Sequence, residues 1–113
     1  MPYPPRPPTG QAVSATLKRA GFNRSTVLVG TGRYRDGRLV KGSDQHTWGY
    51  EVRTLHGRIT VRHILGGIGP VSDEGAKRAV HMVRRYADEL HAAGFLMNID
   101  EGGQSLIVHA RRA

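Results

Sequence analysis

The helical periodicity of apolar residues between positions 72 and 93 predicts a long amphipathic helix. Apolar side chains recur every three or four residues and form one stripe, and polar side chains occupy the opposite face. Ser72 is a good N-cap, and Asp73 and Glu74 fall in the first turn, where the helix dipole favours anions. The stripe comprises Ala76, Ala79, Val80, Val83, Tyr86, Ala87 and Leu90, and the polar face comprises Lys77, Arg78, His81, Arg84, Arg85, Asp88 and His91.

A shorter helix is predicted to begin at Thr9 or Gly10 and to end at Gly21, because Val13, Leu17 and Ala20 recur at helical spacing. Both helices end with the same signature, Leu17-Lys-Arg-Ala-Gly-Phe22 in the first and Leu90-His-Ala-Ala-Gly-Phe95 in the second. In each, glycine suits the left-handed conformation after the helix, and phenylalanine can pack on the leucine. This pattern is typical of the Schellman motif.

A first β-hairpin is predicted from residues 50–54 and 59–63, which flank a loop closed by His56-Gly57. A two-residue loop pairs Thr54 with Ile59, Val52 with Val61 and Tyr50 with His63 on one face of the hairpin. It also places Glu51 opposite Arg62 on the other face, and this pair of opposite charges supports the register. We expect His63 to point into the core.

A second hairpin is predicted to turn at Gly102-Gly103 and to pair Ile99 with Leu106 and Met97 with Val108. We expect Ile99 and Leu106 to be buried against the second helix. Residues 25–29, with the apolar run Val27-Leu28-Val29, are predicted to form a further strand.

The predicted fold is α+β: an antiparallel sheet of about five strands with two helices packed on one face, in the order α-β-β-β-α-β-β. A sheet with one apolar face needs a cover, and two amphipathic helices supply it. Five of the six prolines fall in residues 2–8, so we interpret residues 1–8 as a Pro-rich disordered leader, or as a docking ligand, and residues 9–113 as a single α+β domain.

The charge of the chain is unevenly distributed. The net charge is +8, and residues 1–43 carry eight basic residues and one acidic residue, against nine and eight in the remaining seventy. Charge concentrated in one segment favours a polyanionic partner. A solubility role in a GC-rich proteome, which would also explain the preference for arginine, is equally consistent with it.

The sequence excludes several kinds of chemistry. It contains no cysteine, and therefore no disulfide, thiol nucleophile or cysteine-ligated zinc. The six histidines show no metal-ligand spacing, and the glycine-rich segments at 30–32 and 66–69 fit neither the P-loop nor the dinucleotide fingerprint. We therefore expect no cofactor, no metal and no enzymatic activity.

The same absence of cysteine predicts a reducing cytoplasm, either of a bacterium or of an infected host. No apolar run reaches roughly 18 residues, and the N-terminus lacks the apolar region of a signal peptide, so no membrane association is expected.

The segment from residue 31 to 49 has no periodic pattern and is the preferred functional candidate, because it interleaves cations with aromatic rings. Arginine can bind phosphate through two parallel hydrogen bonds, and aromatic faces can stack on unpaired bases. The alternative is a polar loop whose tryptophan turns into the core. The predicted contacts are Arg33, Tyr34, Arg35, Arg38, Lys41 and Trp48, with a rival basic surface on the second helix formed by Lys77, Arg78, Arg84 and Arg85.

Three segments, Leu17-Lys-Arg-Ala-Gly-Phe22, Gly49-Tyr-Glu-Val-Arg53 and Tyr86-Ala-Asp-Glu-Leu-His-Ala-Ala-Gly-Phe95, carry a resemblance. On them the chain resembles small proteins of actinobacteria and of their phages or mobile elements. The resemblance implies a source and an architecture and transfers no activity. The order α-β-β-β-α is also similar to that of double-stranded RNA-binding domains, although Asp73, Glu74 and two additional strands depart from that pattern.

The leading functional hypothesis is a small, non-catalytic, accessory nucleic-acid-binding protein of a phage or mobile element, with DNA or RNA as its partner. The alternative is a protein-binding modulator or inhibitor of a host factor, which would use the open face of the sheet or the Pro-rich leader.

Overall fold

A computed structural model describes residues 7–28, 33–35, 38–40, 45–46, 48–65 and 72–112. Within these ranges the chain forms two helices and eight strands, which are, in order, α1 (Gly10–Arg19), β1 (Val27–Leu28), β2 (Arg33–Arg35), β3 (Arg38–Val40), β4 (Gln45–His46), β5 (Gly49–Leu55), β6 (Arg58–Ile64), α2 (Asp73–Ala92), β7 (Phe95–Ile99) and β8 (Ser105–Arg111). Most of the predicted leader, residues 1–6, lies outside the described residues.

The main sheet has four antiparallel strands in the order β5-β6-β8-β7. The α+β class is therefore confirmed, but five strands in one sheet and the predicted order are not. Of the predicted strand at residues 25–29, Val27 and Leu28 form β1, which pairs with β4 in a separate two-stranded ribbon, and Val29 lies outside the described residues. Only two strands of the main sheet precede α2. The fold therefore also differs from the α-β-β-β-α order of double-stranded RNA-binding domains.

The first hairpin has the predicted register: Tyr50 pairs with His63, Val52 with Val61 and Thr54 with Ile59. Its two-residue turn has positive φ at both His56 (52°) and Gly57 (76°). Turns of this type match the right-handed twist of the flanking strands, which explains why so short a loop fixes the register.

The core lies between one face of the sheet and the two helices. α1 contributes Val13 and Leu17, and α2 contributes Ala79, Val83, Tyr86 and Leu90, all buried as the helical periodicity predicts. The sheet contributes Tyr50, Ile59, Val61, Phe95, Leu106 and Val108. Both helices therefore bury their apolar stripes against the same sheet face.

The beginnings of both helices and the end of α1 follow the predicted signatures. The side-chain oxygens of Thr9 and Ser72 accept hydrogen bonds from backbone N–H groups at 3.1 Å, as N-caps do. After α1, Gly21 has φ of 96°, and the N–H of Phe22 donates to the carbonyl of Leu17 at 3.1 Å. These two features define a Schellman motif.

One residue that was predicted to lie in the core is exposed in the structure. Leu106 is fully buried, but Ile99 is 42% exposed, although the two are cross-strand partners as expected. β7 is the edge strand of the sheet, so Ile99 has a neighbouring strand on one side only. The expectation that Ile99 is buried against α2 is therefore wrong.

Candidate nucleic-acid interface

Four cations on α2 form one exposed surface, which we call the α2 basic surface: Lys77, Arg78, Arg84 and Arg85. Because each residue turns the helix by about 100°, the four lie within an arc of about 120°. That arc is centred opposite the buried stripe of the helix. With a rise of 1.5 Å per residue, the surface extends about 12 Å along the helix.

No carboxylate of the described residues forms a direct ion pair with the α2 basic surface. Among the described residues, the ion pairs within 4.0 Å both involve Glu51, which contacts Arg53 at 2.9 Å and Arg62 at 2.7 Å. The acidic residues of α2 lie in its first turn and towards its C-terminal end, and none falls between Lys77 and Arg85. The middle of the helix therefore presents positive charge that is not neutralised by a direct ion pair.

Arg85 is held by its neighbours on this surface. Its guanidinium lies over the ring of Phe22, 5.1 Å from the centroid, and its Nη1 is 4.0 Å from the sulfur of Met82. Phe22 lies three residues after the end of α1, whose last turn carries the exposed cations Lys18 and Arg19. The contact fixes the position of the Arg85 charge while leaving its side chain exposed.

Beneath the helix, His63 and Tyr86 form a buried polar pair that joins β6 to α2. The Nδ1 atom of His63 lies 2.6 Å from the hydroxyl oxygen of Tyr86. Burial, and secondly the positive charge of Arg78, lower the pKa of His63, and burial raises the pKa of Tyr86 to about 12. Both groups are therefore neutral at pH 7, and His63 is the satisfied core histidine that its inward position predicts.

The other predicted contacts lie on different elements. Arg33, Tyr34 and Arg35 form β2 and Arg38 begins β3, and these two strands pair as an antiparallel ribbon in which Arg35 is the Cα partner of Arg38. Lys41 lies outside the described residues. The aperiodic interpretation of this segment missed the ribbon, although Asp36-Gly37 between its strands is a strong hairpin signal.

Trp48 is 59% exposed, so the alternative in which it turns into the core is wrong. It immediately precedes Gly49, the first residue of β5. An exposed indole at this position is available for stacking, as the functional hypothesis requires.

Three arginines that were not among the predicted contacts lie on the open face of the sheet: Arg53, Arg58 and Arg62. Strand alternation places them opposite the core-facing residues of β5 and β6. The predicted register of the first hairpin already implied that these arginines lie on the face opposite the core. Two of the three share the carboxylate of Glu51, which makes this face a weaker anion site than α2.

The described residues contain no group of three or more histidine, aspartate or glutamate side chains that could hold a metal ion. In the same part of the chain, neither helix is both long and apolar enough to cross a bilayer.

Comparison of the chain with protein-family models, with curated proteins and with solved structures finds no match.

Proposed function

We propose that the chain is a small, non-catalytic, accessory nucleic-acid-binding protein of a phage or mobile element that acts in a bacterial cytoplasm. The observation that carries the proposal is the α2 basic surface, where four exposed cations lie on one helix and form no direct ion pair with any acidic residue that the structure describes. The concentration of positive charge in residues 1–43 supports it independently.

The chemistry of this surface suits phosphates better than carboxylates of a folded partner. Three of its four cations are arginines, whose planar guanidinium groups bind phosphate oxygens through paired hydrogen bonds. Their positions on a helix fix the spacing between their Cα atoms, so binding requires no ordering of the backbone there and loses mainly side-chain entropy. Contacts of this kind position a protein on the nucleic-acid backbone and read no sequence.

The ribbon formed by β2 and β3 and the exposed Trp48 would add to this surface. The ribbon contributes further arginines, and the indole can stack on an unpaired base. We therefore assign the phosphate contacts chiefly to α2. We assign to Trp48 the preference between single-stranded and double-stranded nucleic acid.

A salt titration of binding tests the proposal. Fluorescence anisotropy with labelled duplex DNA, single-stranded DNA and duplex RNA gives the affinity of the wild-type protein at each salt concentration. If three of the four cations contact phosphates, the log–log slope on duplex DNA should be about −2.7 or steeper.

If the protein binds none of the three ligands at about 50 mM salt, where such contacts are strongest, the proposal is contradicted. The alternative, a protein-binding modulator or inhibitor of a host factor, would then replace it.

A further inference from the structure

The free edge of β5 is partly used by the chain itself. The N–H of Tyr50 donates to the carbonyl of Asn23 at 2.9 Å, and the N–H of Ser25 donates to the carbonyl of Tyr50 at 2.8 Å. Through these bonds Arg24 forms a parallel bridge with Tyr50. The edge therefore already pairs with an extended segment at its first residues.

These hydrogen bonds also fix which backbone groups of β5 face the edge. Because strand residues alternate, the N–H and C=O groups of Val52 and Thr54 point the same way as those of Tyr50. Among the described residues, these backbone hydrogen bonds along the edge involve Asn23 and Ser25, and the chain then pairs with β4, where Val27 is the partner of His46. Two residues of β5 thus present donors and acceptors beyond the end of that segment, which is the usual template for strand addition.

A groove of about 730 Å³ runs beside these two residues. One side of it is formed by successive turns of α1, from Gly10 through Ser14 to Lys18, and the other by β5 from Tyr50 to Thr54. Either wall is about 12–13 Å long, which accommodates about four residues of extended chain.

The charges that the described residues bring to this groove have one sign. Lys18 and Arg24 are the charged residues among them, and none of the described lining residues carries a carboxylate. The Pro-rich segment of the chain itself is a poor occupant, because proline has no N–H to donate to an edge strand. A second copy is disfavoured because each copy carries a net charge of +8.

We propose that the groove between α1 and β5 binds an extended acidic peptide of a partner protein, which adds a strand to β5 at Val52 and Thr54. Main-chain hydrogen bonds would supply affinity, as in other cases of strand addition, and Lys18 and Arg24 would select acidic side chains. This interaction is separate from the proposed nucleic-acid contacts on α2.

The test uses the full chain and a labelled peptide of about seven residues that alternates valine with glutamate, followed by fluorescence anisotropy. Ala15→Trp fills the groove from an exposed position of α1 that lines it. It should weaken peptide binding at least about tenfold without lowering the melting temperature. Ala92→Trp, at an exposed position in the last turn of α2, is the matched control and should leave binding unchanged. Lys18→Glu, a second variant that adds no bulk, should also weaken binding.

Two N-methylated peptides separate strand addition from simple charge attraction. Methylation of alternate residues on the side that faces β5 removes the required N–H groups, whereas methylation of the other alternate set does not. We expect affinities that differ at least about tenfold between the two peptides. Equal affinities overturn the proposal, and so does the absence of saturable peptide binding at about 1 mM. It is also overturned if Ala15→Trp abolishes binding of oligo(dT) instead of the peptide.

Discussion

Replacing Leu106 by alanine tests the arrangement of the core under α2. Leu106 is fully buried on β8, between β6 and β7, where it is the Cα partner of both Val61 and Ile99. Ile99, directly across the strand pair, is 42% exposed and provides a matched control of the same side-chain size. The two substitutions to alanine differ chiefly in burial.

The expected costs follow from that difference. Leu106→Ala removes three buried carbons, worth about 2.4 kcal/mol of transfer free energy, and leaves a closed cavity that adds to the cost. The free energy of unfolding should fall by about 3–4 kcal/mol, a large part of the typical stability of a domain. Ile99→Ala removes a side chain that is 42% exposed, so about 1.4 kcal/mol remains, with no closed cavity.

Urea denaturation followed by far-UV circular dichroism measures both costs. With an m-value of about 2 kcal/mol per molar, the midpoint of Leu106→Ala should fall by about 1.5–2 M, and that of Ile99→Ala by less than about 1 M. The m-values should stay unchanged. Equal midpoint shifts for the two variants, or a cost for Leu106→Ala below about 1 kcal/mol, would refute the placement of β8 at the centre of the core.

Three further predictions concern pH, a helix end and the exposed tryptophan. Burial and Arg78 lower the pKa of His63 below its unfolded value near 6.5, so the unfolded state binds the proton more readily. The free energy of unfolding should therefore fall as pH drops below about 6.5, and the decline should be smaller in His63→Gln, as urea midpoints at several pH values can show. Gly94 has φ of 92°, and an added Cβ would meet only Arg112 atoms at 3.6 Å or more, so Gly94→Ala should cost about 1–2 kcal/mol through backbone strain alone. An unchanged melting temperature would mean that this glycine is not required to end α2. Trp48 is 59% exposed, so iodide should quench its fluorescence in the free protein, and single-stranded DNA should protect it more than duplex DNA does. Equal protection by both ligands would exclude stacking on unpaired bases.

The sequence was sufficient to predict the local structure wherever a short-range rule decides it. The register of the first hairpin follows from residue alternation and a two-residue turn, and both are fixed within a few residues of His56-Gly57. The end of α1 at Gly21 follows in the same way from a glycine that adopts positive φ.

Strand order was not predictable by the same means, because it depends on contacts between distant segments. β8 lies between β6 and β7, which leaves Ile99 on an edge strand. A β-bulge between Leu96 and Met97 also changes the alternation: Arg111 becomes the partner of Phe95 and stacks on its ring at 4.7 Å. Periodicity along β7 and β8 contains no signal for either feature.

The candidate site was predicted in part. The 3.6-residue period placed Lys77 and Arg84 on the exposed side of α2, and the structure confirms their exposure. The contact of Arg85 with Phe22 joins two segments that are far apart in the chain, so no spacing rule could show it. The assignment of these residues to nucleic acid stays a prediction.

The central claim is that α2 carries the phosphate contacts, and the salt dependence of variant binding tests it most directly. Lys77→Ala/Arg84→Ala removes two exposed cations of the α2 basic surface and should make the log–log slope on duplex DNA less steep by about 1.8. Arg58→Ala, on the open face of the sheet, should leave the slope unchanged. Arg33→Ala/Arg35→Ala measures the contribution of the ribbon, with a change of about one to two if both arginines contact phosphates. An unchanged slope for the α2 variant would contradict the account, and a reduced slope for Arg58→Ala would move the interface to the sheet.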